Sequence, residues 1–212
     1  GCTVHDARIR AGKLLWKEHP VEADVVIGVP DSGLDAALGL SQASGIPYEV
    51  GFIKNRYVGR TFIQPNQKMR TNSVRIKLNV VKSVVAGKRV ILVDDSIVRG
   101  TTCQRIVNLL REAGATEVHM RISCPPFTNP CHFGVDIDSK ENLIACQMTI
   151  PEICKHIGAD TLGYLSIDGV QSLTTPEMTP KSGFCTACFT GNYPIDVPKE
   201  MPKDKFEKKI GE

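Results

Sequence analysis

The chain has 212 residues, of which 42% are hydrophobic and 23% are charged, a composition typical of a globular domain with its own core. Its 26 basic and 23 acidic side chains leave a net charge of only +3, which favours neither a nucleic-acid partner nor a membrane surface. No apolar run approaches the roughly 20 residues of a membrane-spanning helix, and the first residues lack a signal-peptide pattern. We therefore expect a cytoplasmic protein without nucleic-acid or membrane partners. Because the sequence opens on Gly1 rather than Met, we expect a fragment or a processed chain.

The first third of the chain alternates predicted helices and strands. Helical spacing runs over about residues 5–19, and the β-branched run at 23–29 predicts a buried strand that ends at Pro30. A helix over 34–43 follows, with Asp31 or Ser32 as its N-cap and Gly45 at its end. Residues 48–53 then predict a strand and residues 67–81 a helix.

The alternation of predicted strands and helices continues through the middle of the chain. The apolar run at 90–93 predicts a strand covered on both faces, followed by a helix at 106–113 that Gly114 stops and a strand at 118–122. This alternation predicts an α/β fold with a parallel sheet, which binds ligands at the carboxyl ends of its strands. Prolines interrupt the polar sequence after about residue 169, so we expect a domain over 1–170 and an irregular, cysteine-bearing segment over 171–212.

The stretch VILVDDSIVRGTT, residues 90–102, is the most informative part of the sequence. Two adjacent carboxylates, Asp94 and Asp95, follow the apolar strand, and a short loop with Gly100 leads into a helix that starts near Thr101 or Thr102. Carboxylates accept hydrogen bonds from vicinal ribose hydroxyls, and N–H groups at a helix N-terminus hold a phosphate dianion. A bare acid pair more often only ends a strand and caps a helix, whereas the whole pattern favours a ribose-phosphate site.

That pattern resembles the signature with which type I phosphoribosyltransferases bind phosphoribosyl pyrophosphate (PRPP). Three further motifs accompany it, and their order is that of the amidophosphoribosyltransferase family: GVPDSG at 28–33, GFIKNRYVGRTFIQP at 51–65 and FCTACFTGNYP at 184–194. The resemblance covers nearly the whole chain and implies the type I phosphoribosyltransferase fold. It also implies transfer of ammonia, taken from glutamine in the complete enzyme, to PRPP. The products would be 5-phosphoribosylamine and pyrophosphate, in the first step of de novo purine nucleotide biosynthesis.

The resemblance further implies which residues contact PRPP. An acid pair, Asp94 and Asp95, would bind the ribose hydroxyls and, together with Ser32, lie around the Mg2+ ion of Mg-PRPP. A phosphate loop at 96–102 would surround the 5'-phosphate through Ser96, Ile97, Val98, Arg99, Gly100, Thr101 and Thr102. A pyrophosphate loop at 29–33 would meet the leaving group through Val29, Pro30, Asp31, Ser32 and Gly33. A basic lid at 54–61 would close over PRPP through Lys54, Asn55, Arg56, Tyr57, Gly59, Arg60 and Thr61.

Without the resemblance, two of these groups have simpler interpretations. The pyrophosphate loop is then a plain strand-to-helix turn, and the lid is an exposed basic loop. Three cations within seven residues nevertheless suit a lid over a highly anionic substrate.

The eight irregularly spaced cysteines suit a reducing compartment better than a disulfide framework. Cys185 and Cys188 have the spacing of a two-ligand metal clip, which on the sequence alone leaves zinc, iron and redox roles open. The resemblance implies that these two and Cys131 hold a 4Fe-4S cluster whose fourth ligand lies upstream of this chain. Cys2, Cys124 and Cys154 are conceivable replacements, but none matches the family's position.

The other cysteines have less specific interpretations. We expect Cys103, Cys146 and Cys154 to be buried small hydrophobes. The complete enzymes of the family use an N-terminal cysteine to release ammonia from glutamine. We do not expect Cys2 to have that role, because the phosphoribosyl half follows it at once and the N-terminal glutaminase domain is expected to be absent from this chain, whose own activity would then depend on ammonia.

The resemblance also implies purine nucleotides as feedback inhibitors, a glutaminase domain as partner and a homo-oligomer, commonly a tetramer. Two other functions remain open on the sequence. A nucleobase phosphoribosyltransferase would need base-recognition residues, and a non-catalytic PRPP-sensing regulator that binds nucleic acid would need a broad basic face. The lid and pyrophosphate-loop motifs favour the ammonia-using enzyme over both.

Overall fold

The computed structural model describes residues 2–55, 78–135, 137, 139–174 and 183–197. Helices and strands alternate along these residues, with a short 3-10 turn at Lys140–Asn142. In chain order they are α1 (Val4–Glu18), β1 (Val25–Gly28), α2 (Leu34–Ser44), β2 (Phe52–Lys54), β3 (Leu78–Val80), α3 (Lys82–Val85), β4 (Arg89–Asp94), α4 (Thr101–Glu112), β5 (Glu117–Ile122), α5 (Ile144–Gln147), α6 (Ile150–Ile157), β6 (Thr161–Tyr164), α7 (Ile167–Gln171) and α8 (Ala187–Thr190).

A parallel sheet in the order β1-β4-β5-β6 forms the centre of the fold. Val26 also makes an isolated parallel bridge to Tyr48 on the outer side of β1. The predicted strands at 23–29, 90–93 and 118–122 all belong to this sheet, and the expected α/β architecture is confirmed. Because its strands are parallel, their carboxyl ends share one edge, and chain segments that follow different strands meet there.

The sheet is buried on both faces, which explains the continuous apolar run of β4. Val90 and Leu92 point into one core cluster with residues of α4 and α6, whereas Ile91 and Val93 point into another with residues of α1 and α2. All four side chains have 0% exposure, and each such burial contributes roughly 1.5–3 kcal/mol. β4 is therefore packed from both faces of the sheet up to Asp94, its last residue.

Two expectations from the sequence need correction in the region between β1 and β4. The helix predicted over 67–81 is wrong at its end, because Leu78–Val80 forms β3, paired antiparallel with β2; residues 67–77 lie outside the described residues. Leu78 is buried and Asn79 is exposed, an alternation typical of a strand rather than a helix. The strand predicted at 48–53 is found only over Phe52–Lys54.

The helix that follows β1 begins differently from the prediction. Gly33 is the N-cap of α2 and no side chain caps this helix, so the predicted caps Asp31 and Ser32 are wrong. The amide of Gly33 instead donates to the carbonyl oxygen of Val29 at 2.9 Å, which closes a turn over residues 29–33. The predicted end of the helix is confirmed, since Gly45 terminates α2 in the left-handed conformation.

The described part of the C-terminal segment packs on the loop that follows β5. The amides of Thr128 and Asn129 both donate to the carbonyl oxygen of Cys188 at 3.0 Å, and the rings of Phe127 and Phe189 stack at 5.1 Å. This segment therefore has no separate core among the described residues. None of the helices in the described ranges combines the length and apolar character needed to cross a membrane.

Candidate functional site

The ends of β1 and β4 lie side by side and place two of the predicted loops together. Gly28 pairs with Val93, and the amide of Val29 donates to the carbonyl oxygen of Val93 at 2.9 Å. The predicted pyrophosphate loop therefore starts next to the last residue of β4, Asp94. Motifs separated by about sixty residues in the sequence meet at one edge of the sheet.

The turn at 29–33 sits directly on the end of β4. A Cβ atom added to Gly33 would lie 2.4 Å from the carbonyl oxygen of Val93, so only glycine fits at this position. The peptide bond between Pro30 and Asp31 is cis. Val29 and Gly33 are buried and the Asp31 side chain is exposed, so the turn presents its middle residues to the open edge of the sheet.

The two carboxylates of the acid pair differ sharply in their surroundings. Asp94 is 7% exposed and its Oδ1 accepts a hydrogen bond from the amide of Asp95 at 2.8 Å, whereas Asp95 is exposed and accepts from the Ser96 hydroxyl at 2.8 Å. Burial, followed by repulsion from Asp95, raises the pKa of Asp94 to about 7. A carboxylate in this position is stabilised in its charged form by a nearby cation or by hydroxyl donors.

Magnesium fits this arrangement by the chemistry of its donors. Mg2+ in phosphate-binding sites is held by one or two carboxylates and completes its shell with substrate oxygens and water. Asp94 and Asp95 are the carboxylates at the carboxyl end of β4 that would hold such an ion. Ser32, the third predicted ligand, lies in the neighbouring turn at 29–33.

The phosphate loop combines buried and exposed residues. Ile97 and Gly100 are buried, Arg99 is exposed, and the exposed residues Thr101 and Thr102 begin α4. Gly100 is in the left-handed conformation with φ 79°, and no side chain caps α4. The first turn of a helix carries N–H groups without intrahelical partners, which are suited to bind an anion.

Lys54 connects the predicted lid to the pyrophosphate loop. It ends β2, and its Nζ donates to Oδ2 of Asp31 at 2.5 Å. Asn55 is the last described residue of the predicted lid. The remaining predicted residues of the lid lie outside the described residues: Arg56, Tyr57, Gly59, Arg60 and Thr61.

The three predicted cluster cysteines lie in one neighbourhood, although they come from two distant parts of the chain. Burial raises the pKa of the Cys188 thiol, and the nearby Cys131 and Cys185 raise it further. Burial raises the pKa of Tyr193 and the same three thiols raise it further; its hydroxyl donates to the carbonyl oxygen of Pro130 at 2.7 Å. Within the described ranges, however, no three or more Cys, His, Asp or Glu side chains are arranged so that they could hold a metal ion.

The other cysteines follow the prediction only in part. Cys103 is buried as expected, whereas Cys154 is half-buried and Cys146 is exposed. The expectation that all three are buried is therefore wrong for Cys146, whose thiol points to the carbonyl oxygen of Thr128 at 3.3 Å at the rim of α5. Cys146 lies on a helix of four residues, Ile144–Gln147, and so short a segment has no periodic pattern that indicates which of its side chains face solvent.

Sequence reasoning missed the residues that support the phosphate loop from behind. Leu143 and Ile144 are buried, and the amide of Ile144 donates to the carbonyl oxygen of Val98 at 2.9 Å. They lie more than 40 residues after the loop in a stretch with little periodicity. No local signal in the sequence indicates this contact, because it depends entirely on how the chain returns to the sheet edge.

Comparison with known families identifies this arrangement. The profile of the family described as "Phosphoribosyl transferase domain" matches residues 5–159. The chain belongs to the phosphoribosyl transferase domain family. The match includes the pyrophosphate loop, the acid pair and the phosphate loop, and it ends before the segment that carries Cys185 and Cys188.

Two relatives of this phosphoribosyl transferase domain are both described as amidophosphoribosyltransferases. The chain is 59% identical to the amidophosphoribosyltransferase of Synechocystis sp. over 96% of its own length and 41% of that protein's. The amidophosphoribosyltransferase of Bacillus subtilis is 56% identical, with 93% of this chain and 42% of that protein covered. The chain thus spans about two fifths of the length of these curated relatives.

Two solved structures have the same fold as this chain. A structure described as the allosteric regulatory enzyme of purine biosynthesis matches with a TM-score of 0.84 and 55% identity, over 94% of this chain and 43% of that one. A glutamine PRPP amidotransferase from Bacillus subtilis, complexed with ADP and GMP, matches with a TM-score of 0.83 and 55% identity, over 93% and 44% of the two chains. The domain therefore has the type I phosphoribosyltransferase fold.

Proposed function

We propose that this domain transfers ammonia to PRPP, giving 5-phosphoribosylamine and pyrophosphate, in the first step of de novo purine nucleotide biosynthesis. The observation that carries the proposal is the meeting of the pyrophosphate loop with the acid pair at the carboxyl edge of the sheet. The hydrogen bond from Val29 to Val93 joins the two at 2.9 Å, in a chain 59% identical to an amidophosphoribosyltransferase. The activity belongs to a longer protein in those relatives, and a glutaminase domain would supply ammonia from glutamine.

Each part of the edge has a role in binding PRPP. Ionised Asp94 and Asp95 accept hydrogen bonds from the vicinal ribose hydroxyls and orient the sugar. Residues 96–102, at the start of α4, bind the 5'-phosphate, and the exposed middle of the turn at 29–33 faces the pyrophosphate. Lys54 and the lid cations neutralise the pyrophosphate and exclude water. Fixing both phosphate ends of PRPP leaves its anomeric carbon as the exposed reactive atom.

The chemistry then needs no covalent attachment to the protein. The bond from the anomeric carbon to the pyrophosphate oxygen breaks, its electron pair leaves with pyrophosphate, and the sugar becomes oxocarbenium-like. The nitrogen lone pair of ammonia forms the new bond from the opposite face, and the product amine releases a proton. Bound Mg2+ would supply positive charge next to the leaving group. The backbone N–H groups in the middle of the turn at 29–33 and the Lys54 ammonium stabilise the same developing charge.

The cysteines support a structural metal site in the longer protein. Cys131, Cys185 and Cys188 provide three of the four thiolates that a 4Fe-4S cluster takes, and the fourth would come from upstream. The described residues do not hold these thiols in a metal-binding arrangement, so the transfer steps above are derived from the sheet edge alone. Anaerobic isolation followed by iron, sulfide and zinc analysis tests this assignment, and stoichiometric zinc without sulfide would overturn it.

Regulation and assembly form a further part of the proposal. The Bacillus subtilis relative is described in complex with ADP and GMP, so purine nucleotides are candidate feedback inhibitors of this protein too. We expect a cytoplasmic homo-oligomer, most simply a tetramer, that contains the glutaminase domain. Saturating AMP or GMP should weaken PRPP binding to the full-length protein, and an unchanged affinity would contradict this regulation.

The experiment that tests the proposed reaction measures pyrophosphate release from Mg-PRPP. Ammonia, adenine, guanine, uracil and orotate are compared as acceptors, with Asp94→Ala as the control. Release with ammonia alone, lost in the variant, supports the proposal. Release only with a nucleobase would indicate a nucleobase phosphoribosyltransferase, and tight PRPP binding without release would indicate a PRPP-sensing regulator.

A further inference from the structure

We propose that Leu143 and Ile144 form a brace that holds the phosphate loop, residues 96–102, in its binding shape. Ile144 is then a positioning residue: it contacts the loop from behind and acts on PRPP only through it. The inference rests on the proposed function, because it assigns the 5'-phosphate to this loop. It adds a residue that the motifs of the sheet edge do not contain.

The first contact is a hydrogen bond between backbones. The amide of Ile144 donates to the carbonyl oxygen of Val98 at 2.9 Å. Ile144 is the first residue of α5, so its amide has no partner within that helix. A loop that binds a phosphate dianion through N–H groups has to keep its carbonyl oxygens away from that dianion. The hydrogen bond commits the carbonyl oxygen of Val98 to α5.

The second contact lies under the glycine of the loop. A Cβ atom at Gly100 would stand 2.6 Å from Cδ1 of Ile144, so this methyl group occupies the space that a side chain would need. Gly100 is buried and has φ 79°, a conformation that glycine adopts without strain. The Ile144 methyl group therefore packs directly against the backbone that turns into α4.

The third contact is made by the neighbouring side chain. Leu143 is fully buried in a small cluster with Phe127 and Ile137, and Val98 packs against this cluster. Ile144 points into the main core with residues of α4 and α6. The two consecutive residues thus fasten the loop to both clusters, and a shift of this segment would displace the loop at Val98 and Gly100 together.

Removing one methyl group from Ile144 tests whether this residue positions the phosphate loop or only fills space in the core. Ile144→Val in the full-length protein removes Cδ1 but keeps the amide and the branched side chain. Ile153→Val is the matched control, because Ile153 is buried in the same core cluster as Ile144 but lies on α6, outside the strand and loops that form the site. Both variants create a small cavity and should lose comparable thermal stability.

Binding of two partial ligands provides the readout. Ribose 5-phosphate probes the phosphate loop, and pyrophosphate with Mg2+ probes the loop at 29–33. For Ile144→Val we expect a dissociation constant for ribose 5-phosphate about three- to tenfold higher than that of the parent protein. Pyrophosphate binding should be unchanged, and the KM for PRPP should rise while kcat stays within about twofold. Ile153→Val should leave both dissociation constants unchanged.

A reciprocal test uses the clash at Gly100. Gly100→Ala should weaken ribose 5-phosphate binding, both through backbone strain and through contact with Cδ1 of Ile144. Adding Ile144→Val removes the contact, so the double variant should bind ribose 5-phosphate at least as tightly as Gly100→Ala alone. Such non-additivity is expected for two residues in direct contact.

The outcomes distinguish failure of the brace from failure of the proposed function. Unchanged ribose 5-phosphate affinity in Ile144→Val, or the same loss in Ile153→Val, would overturn the brace even if the reaction is as proposed. Additive effects in the double variant would overturn it too. A parent protein that binds neither ribose 5-phosphate nor PRPP would instead contradict the proposed function itself.

Discussion

The acid pair with its phosphate loop and the cysteine neighbourhood are built in opposite ways. Residues 90–102 form one continuous strand, loop and helix start, and the buried strand β4 fixes where the carboxylates emerge. The cysteines come together only because α8 packs on residues 127–131, through the two hydrogen bonds to Cys188 and the stacked rings of Phe127 and Phe189. The strand and loop of the first site are therefore encoded in one continuous segment, which distant residues support only at Val98 and Gly100, whereas the cysteine neighbourhood depends entirely on long-range packing. Damage to the carboxylates should leave the cysteine neighbourhood intact, whereas damage at Leu143 should reach both regions, because the loop and the cysteines pack on the same small cluster.

The largest expected effect concerns the carboxylate at the end of β4. Asp94→Asn keeps the shape of the side chain but removes its charge, so it can no longer neutralise a cation or accept two strong hydrogen bonds from ribose. We expect kcat/KM for PRPP to fall by about 100- to 1000-fold, as for loss of other charged site contacts. Pyrophosphate release at several PRPP concentrations measures this.

The same substitution should leave the cysteine neighbourhood intact. The hydrogen bonds from Thr128 and Asn129 to Cys188 lie in other segments of the chain, so the iron content of the full-length protein should equal that of the parent. An Asp94→Asn protein that also loses its iron would show that the two regions form one unit.

The second prediction concerns stability and pH, because Asp94 is buried with a raised pKa. The folded chain holds this proton with a pKa of about 7, whereas the unfolded chain releases it near 3.8. Between these values the folded state binds more protons, so the free energy of unfolding falls as pH rises. One pKa unit corresponds to about 1.4 kcal/mol. The shift of about three pKa units therefore lowers the free energy of unfolding by at most about 4 kcal/mol by pH 8.

Denaturant unfolding from pH 4 to pH 8, in EDTA and without PRPP, measures this loss. Asp94→Asn should remove the corresponding slope and be the more stable protein at pH 8. Asp95→Asn serves as the control, because Asp95 is exposed. Parallel pH profiles for the parent and Asp94→Asn would show that this carboxyl is already ionised in the folded chain.

These two predictions concern the part of the molecule that the sequence predicted well. The apolar run at 90–93 indicated a strand buried on both faces, and the two core clusters show why every position of that run is apolar. The acid pair lies where it was predicted, at the carboxyl edge of the sheet, and its role in binding stays a prediction. Gly33 lies too close to the backbone of β4 for a side chain, and Gly100 has a positive φ. The glycines of the two motifs therefore indicate the local backbone shape in the sequence itself.

The parts that the sequence did not predict depend on contacts between distant segments. Nothing near Leu78 indicates that it pairs with β2, and nothing near Ile144 indicates that it contacts Val98. The proposed caps of α2 were wrong for a related reason. The turn at 29–33 is shaped by its contact with the end of β4, and that contact overrides the capping preference of Asp31 and Ser32.

A third prediction tests the long-range packing of the cysteine neighbourhood directly. The hydroxyl of Thr128 donates to the carbonyl oxygen of Phe189 at 2.7 Å and accepts from Nδ2 of Asn129 at 3.0 Å, so Thr128→Val removes both hydrogen bonds with little change in shape. We expect a loss of about 1 kcal/mol, confined to the contact with α8. Hydrogen exchange should rise in residues 183–197 and stay unchanged in β4 and β5. Equal increases in both places would contradict the separation of the two regions.

The smallest expected effect concerns the ion pair between Lys54 and Asp31, which joins β2 to the pyrophosphate loop. Asp31 is 62% exposed, so the pair itself contributes at most about 1 kcal/mol to stability. Its carboxylate nevertheless lies where we place pyrophosphate, and it occupies a cation that would otherwise be available to that anion. Asp31→Asn should therefore lower the dissociation constant of Mg-pyrophosphate by up to about fivefold, whereas Lys54→Gln should raise it. Titration of both variants with Mg-pyrophosphate and with ribose 5-phosphate gives the decisive comparison. A change confined to pyrophosphate assigns the pair to the loop at 29–33, whereas weaker binding of both ligands by Asp31→Asn would mean that the ion pair supports the whole edge.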